Sequence, residues 1–216
     1  MSRFSRLFEQ FRTAARPEEP EKAERSEIGW IVMGLGNPGE QYRRSRHNLG
    51  FMTVQRFAAR FNSELNRRKF NGIYAQILTD AGSIILVMPH TFYNRSGDCA
   101  SGILGYYKVP PARLIVIHDE MDLPEGQLRL KIGGGDAGNR GVRSIAEALG
   151  TPDFIRLRIG IAHPEESHGN IDYLLRPLTD EELHMMGAVT ERAVDAALAI
   201  ISDGLDRARS TYNQRV

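Results

Sequence analysis

Apolar and polar positions divide the chain into runs of two periods. Trp30-Ile31-Val32-Met33 is a continuous apolar run with the length and type of a buried strand. Phe51, Val54, Phe57, Ala58 and Phe61 recur at helical spacing, which predicts an amphipathic helix over about 47–61. Ile73–Leu78 and Ser83–Met88 read as two strands joined by Thr79-Asp80-Ala81-Gly82, a junction suited to a hairpin, with Pro89 as the stop. Ser96 is placed to cap a helix over about 97–107. Leu114-Ile115-Val116-Ile117 predicts a central strand covered on both faces. Gln127–Ile132 and Phe154–Ile161 alternate, and each puts two cations on one face: Arg129 and Lys131, then Arg156 and Arg158. A short helix ending at Leu149 follows the first of these strands. A long one, about Asp180 to Gly204, carries a core-facing stripe of Leu183, Met186, Ala193, Ala196, Ala197 and Ile200. Strands alternating with helices, plus hairpin-like pairs, predict an α/β fold. The expectation is a single domain over residues 29–216, with one mixed twisted sheet flanked by helices on both faces.

Residues 1–28 read as a charged N-terminal extension, expected to be poorly ordered. Phe4, Leu7, Phe8 and Phe11 fall at helical spacing and could form a partner-binding or membrane-surface helix, but the Pro- and Glu-rich stretch Arg16–Glu27 behind them is a solvated linker. Glu9 and the later glutamates argue against a transit peptide.

Hydrophobic residues at 41% and charged residues at 25% fit an ordinary soluble globular chain of 216 residues. No apolar run approaches the roughly 20 residues of a membrane span. A single cysteine, Cys99, excludes an internal disulfide and a cysteine-rich metal site, and points to a reducing, cytoplasmic location. The net charge of +1 is uninformative by itself, but the cations cluster, at Arg43/Arg44/Arg46, Arg67/Arg68/Lys69, Arg129/Lys131, Arg140/Arg143 and Arg156/Arg158. Such clustering permits a nucleic-acid partner without establishing one.

Chemistry concentrates in loops at predicted strand ends: Asn37 to His47, Thr91 to Asn94, His118 to Asp122, and Gly133 to Gly141. Gly34-x-Gly36-x-x-Gly39 matches the dinucleotide-binding string. Pro38 delays the helix, however, and no acidic residue lies in Phe51–Asn62, so a nicotinamide cofactor is rejected. His47 is the natural general base and Asp119, closing a buried strand, the natural partner to fix its tautomer. His118 is an equal candidate for the working imidazole. Asn37 and Asn94 offer amides to orient water or a carbonyl. No serine sits in a nucleophile elbow and Cys99 has no neighbouring base, which favours direct attack by activated water. The histidines lack zinc-ligand spacing, so neither metal nor cofactor is expected.

Gly34-Leu35-Gly36-Asn37-Pro38-Gly39 with Tyr42 and Arg46-His47-Asn48, then Pro89-x-Thr91-Phe92-x-Asn94-x-Ser96-Gly97, then His118-Asp119-x-x-Asp122-Leu123-Pro124 together resemble the bacterial peptidyl-tRNA hydrolase family. Lys131 with the triple glycine and Arg156–Ile161 extend the similarity, which runs from about Trp30 to Asn213. The resemblance implies hydrolysis of the ester joining a peptide to the terminal ribose of tRNA, and a monomeric enzyme is the expectation. By position, it makes His47 the base and Asp119 its holder. Asn37 and Asn94 would bind near the ester, with Asn37 separating blocked from free aminoacyl groups. Tyr42 and Phe92 would line the site for the tRNA end, and Lys131, Arg158 and Arg143 would meet tRNA phosphates.

Two positions depart from the family pattern. Asp136-Ala137-Gly138-Asn139-Arg140-Gly141 stands where His-Gly-Gly-His-Asn-Gly is usual, so a substrate-binding asparagine becomes Arg140, a donor without an acceptor. Arg140 is expected to pair with Asp136 or to bind a phosphate, and Asn139 is not expected to compensate. Tyr93, a substrate-binding position by the resemblance, replaces a usual methionine and is expected to cost only apolar packing near the attacking water. Arg140 and the extra N-terminal segment sustain a second reading, an RNA-binding paralogue with weak or no hydrolysis.

Overall fold

A computed structural model describes residues 27–163 and 170–214. The predicted extension over 1–28 lies outside the described residues except for its last two, and Ile28 already opens the first strand. The strands are β1 (Ile28–Gly34), β2 (Arg67–Lys69), β3 (Gly72–Thr79), β4 (Gly82–Pro89), β5 (Leu114–Glu120), β6 (Leu128–Ile132) and β7 (Ile155–Gly160). They form one sheet in the order β2-β3-β4-β1-β5-β7-β6. β4, β1, β5 and β7 run parallel, while β2, β3 and β6 pair antiparallel, so the sheet is mixed as expected.

The described helices are α1 (Leu49–Arg60), α2 (Ser96–Tyr107), α3 (Arg140–Leu149), α4 (Asn170–Leu175), α5 (Asp180–Asp203) and α6 (Leu205–Tyr212). Alternate residues of the central strands feed two cores. Val32, Ile84, Leu86, Ile115 and Ile117 pack with Val54 and Phe57 of α1 and the Ala193/Ala197/Ile200 stripe of α5. Ile31, Met33, Ile85, Val87 and Val116 pack on the other face with Cys99 and Ile103 of α2 and Ile145 of α3. Burial on both faces explains why the central strands read as unbroken apolar runs rather than alternating ones.

Several elements differ from the sequence expectation. The predicted helix over 47–61 is a 3-10 turn, Arg46–Asn48, leading into α1. Ser96 does not cap α2. A 3-10 turn at Tyr93–Arg95 runs straight into the helix, and the Ser96 hydroxyl donates back to the Tyr93 carbonyl at 2.8 Å. The cationic β2 was not foreseen, because its two-residue turn to β3 is Phe70-Asn71 (φ +56° and +53°) rather than a glycine-containing pair. Gly204, at φ +87°, ends α5 where predicted, and α6 follows it.

Candidate active site

Because β1, β4 and β5 are parallel, their C-terminal ends share one edge of the sheet, and the chain segments leaving them meet there. The loop after β1 is held tightly. Gly50, in the first turn of α1, lies so close to Leu35 and Ile117 that a Cβ there would sit 2.4 Å from the Ile117 carbonyl oxygen. Asn48 is buried and clamps Asn37 from both sides: its Oδ1 accepts from the Asn37 amide N–H (2.8 Å) and its Nδ2 donates to the Asn37 carbonyl (3.0 Å). The sequence reading missed this role, although adjacency to His47 was the available signal.

His47 Nδ1 lies 3.0 Å and 3.1 Å from the two carboxylate oxygens of Asp119. A carboxylate only accepts, so Nδ1 carries a proton, and in the neutral ring the lone pair lies on Nε2. Burial pushes the Asp119 carboxyl upward, but the imidazole beside it, their hydrogen bond and His118 outweigh burial and hold it below its ordinary value. His118, the competing imidazole, is buried and does not line the cleft. Its Nδ1 donates to the Asp119 carbonyl at 2.8 Å, and burial lowers its pKa, which favours the neutral ring.

Tyr93 is not mere packing. Its ring stacks on His47, with centroids 3.7 Å apart and planes 16° apart. Its hydroxyl lies 3.3 Å from Asp119 Oδ1 and 2.9 Å from Asn139 Nδ2. The expectation of lost apolar contact alone is therefore corrected. The register of the strand end and the turn after it points this side chain inward, under the imidazole.

The resulting cleft has a volume of about 620 Å³. His47, Asp119 and Tyr93 form part of its lining together with Asn37, Asn94, Phe92, Glu120 and Met121. Ala137 to Arg140 line it as well, and Ile171, Leu174 and Leu175 of α4 supply an apolar wall. Their i, i+3, i+4 spacing was the legible signal for α4. Asn37 Oδ1 accepts from the Tyr93 amide N–H at 3.2 Å, which leaves Nδ2 without a partner among the described residues. Phe92 is 76% exposed, a flat apolar face offered outward. Tyr42 is half-buried on the preceding 3-10 turn and does not line the cleft.

The cations fall into distinct situations. Asp136 is taken by Arg143 (2.9 and 3.2 Å), not by Arg140, because Arg143 lies one helical turn further along α3 and reaches back over the loop. Arg140 is exposed at the cleft mouth with no acidic partner among the described residues. Arg158 is gripped by the buried Glu120 at 2.8 and 2.7 Å, so a phosphate there would have to compete with that carboxylate. Arg156 donates to the carbonyls of Gly135 (2.6 Å) and Gly134 (2.9 Å) and shapes the glycine loop. Lys131 stands beside Arg156 and Arg158, and burial followed by those two charges lowers its pKa. Among the described residues, no group of three or more His, Cys, Asp or Glu is placed to hold a metal ion.

A family model described as peptidyl-tRNA hydrolase matches residues 31–216. The chain is 41% identical over 184 residues to a peptidyl-tRNA hydrolase of Frankia alni, covering 85% of this chain and 93% of that one. It is 38% identical over 186 residues to the Bacillus subtilis protein of the same name, covering 86% and 99%. The crystal structure of peptidyl-tRNA hydrolase from Acinetobacter baumannii superposes with a TM-score of 0.78 at 33% identity, over 87% of this chain and 95% of the other.

Proposed function

The chain belongs to the peptidyl-tRNA hydrolase family and hydrolyses the ester between a peptide and the 3′-terminal ribose of tRNA, and from that premise we propose how its residues divide the work. His47 Nε2 takes a proton from a water in the cleft as the water oxygen attacks the ester carbonyl. Asp119 stabilises the imidazolium so formed. The unpartnered Nδ2 of Asn37 and the amide of Asn94 are donors for the carbonyl oxygen as charge develops on it. The imidazolium then returns its proton to the ribose oxygen as the ester C–O bond breaks, giving a peptide carboxylic acid and free tRNA. No covalent intermediate, metal or cofactor is used.

The single observation that carries this assignment is the 3.0 Å contact of His47 Nδ1 with Asp119 at the cleft, which supports Nδ1 as the proton-bearing nitrogen and Nε2 as the base. Phe92 offers a stacking face for a terminal base, and Arg140 a cation at the cleft mouth. Among the phosphate candidates, Lys131 stands ahead of Arg158 and Arg143, each of which has an acidic partner. We further propose, on the family resemblance, that the protein acts as a monomer in the cytoplasm. As a separate observation, no described helix is long and apolar enough to cross a membrane.

The test is hydrolysis of an N-blocked aminoacyl-tRNA beside the same ester with a free amine. Cleavage of the blocked ester, with the free one spared, is the expected result. A folded protein that binds tRNA and cleaves neither would return the alternative, a non-catalytic RNA-binding paralogue.

A further inference from the structure

We infer that Tyr93 is a positioning residue for the hydrolysis, holding the His47–Asp119 pair from its face and its edge, with Asn139 directing its hydroxyl proton. The inference rests on the assignment of His47 and Asp119 made above.

The contacts order themselves in one direction once the 3.3 Å approach of Asn139 Nδ2 to His118 Nδ1 is set aside, since that nitrogen already donates to the Asp119 carbonyl. The backbone N–H of Val142 can only donate, and it lies 3.0 Å from Asn139 Oδ1. That contact makes Asn139 the cap of α3 and fixes which end of its amide is oxygen. Asn139 Nδ2 therefore faces the Tyr93 hydroxyl and donates to it at 2.9 Å. The hydroxyl's own proton then goes to its other neighbour, Asp119 Oδ1, at 3.3 Å. Burial, then the Asp119 charge, push the phenol well above its ordinary pKa, so it stays a neutral donor. Asp119 thus receives hydrogen bonds from two rings that lie face to face, and neither ring can swing without breaking a contact.

The seat is built for an aromatic ring. Tyr93 is 6% exposed. A Cβ at Gly141 would lie 2.6 Å from Tyr93 Cε1, so the glycine in the first turn of α3 leaves room for the ring. The residue is also tied at its backbone, where its N–H donates to Asn37 Oδ1. One side chain therefore links three site residues: Asn37 through its amide N–H, His47 through its face and Asp119 through its hydroxyl. Asn139, although it lines the cleft, has both ends of its amide committed to protein groups. It acts on Tyr93 rather than on substrate.

The test compares single-turnover cleavage and substrate affinity for Tyr93→Phe, Asn139→Ser and the double variant, with His47→Ala alongside. Phenylalanine keeps the stack and loses the hydroxyl. Serine keeps a helix cap and loses the amide donor. Tyr93→Phe is expected to slow cleavage about ten-fold, the weight of one hydrogen bond to a charged group, with affinity changed less than about two-fold. Asn139→Ser is expected to slow it less, by about three-fold, and the double variant to match Tyr93→Phe, because both act through one hydroxyl. NMR supplies a readout of the seat. The His47 ring protons, displaced upfield by the stacked ring, should stay displaced in Tyr93→Phe and return toward ordinary values in Tyr93→Met. Wild-type cleavage by a folded Tyr93→Phe, or additive losses in the double variant, would overturn the inference. If His47→Ala still turned over, the base assignment would fall and this inference with it. An inert His47→Ala beside a fully active Tyr93→Phe would remove Tyr93 alone.

Discussion

Arg140 opens α3 at the mouth of the cleft, and the acid expected to pair with it is held by Arg143 instead. It is left as a donor-only side chain beside the reacting groups. Arg140→Asn introduces an acceptor able to orient a water, so cleavage of a saturating N-blocked substrate should rise, by up to about ten-fold. A slower variant would show that the guanidinium itself holds substrate. His47, Asp119 and Asn37 were legible as candidates only through their joint pattern at strand ends, since a polar residue there can equally be structural, as the buried Asn48 and His118 show. The Tyr93 hydroxyl was not legible. Its partners, Asp119 and Asn139, lie 26 and 46 positions away, and only the fold brings them to one phenol.

The elements around the cleft are fastened through the residue before His47. Arg46 is 2% exposed, pairs with Glu182 at the start of α5, and lies 4.3 Å from the ring centroid of Tyr173 in α4. Arg176 reaches the same carboxylate at 2.8 Å, Glu182 completes a capping box with Thr179, and the Leu178 N–H donates to the Arg44 carbonyl at 2.7 Å. The apolar wall on α4 is thereby fixed to the loop that carries the base. Burial pushes Glu182 upward, but Arg176, the Thr179 N–H and Arg46 together bring it down from 4.5 to about 2. A carboxylate lowered on folding stabilises the fold above its unfolded pKa, and that stabilisation is lost as pH falls from about 4.5 through about 2. Glu182→Gln should therefore cost about 3 kcal/mol at neutral pH, since Arg46 is left buried with its charge uncompensated. It should also flatten the acid limb of a Tm–pH curve in that window. An unchanged curve would show that the cluster contributes nothing to stability. None of this was legible beforehand, since Arg46 and Glu182 are 136 positions apart and each alone looks like a solvated charge.

At the scale of the whole molecule, the mixed sheet between helices was read from local pattern, while the strand order was not. Leu114–Ile117 had to be central, Ile73–Leu78 and Ser83–Met88 had to pair, and parallel strands had to deliver their loops to one edge. Charge was read less well. The strand faces carrying Arg129, Lys131, Arg156 and Arg158 do lie side by side, with Arg129 opposite Arg158 and Lys131 opposite Arg156. Much of that charge is answered within the protein, however, by Glu120 and by the carbonyls of the glycine loop. A composition shows how many cations a face carries, but which of them are already satisfied depends on distances. The proposed hydrolysis turns on an imidazole whose one nitrogen is held by a carboxylate while the other activates water. Its most direct test is single-turnover cleavage of an N-blocked aminoacyl-tRNA by His47→Ala, with tRNA affinity measured on the same preparation. Loss of cleavage by at least about 100-fold with affinity retained is predicted, the weight of a general base. Cleavage at the wild-type rate, or a defect confined to affinity, would contradict it.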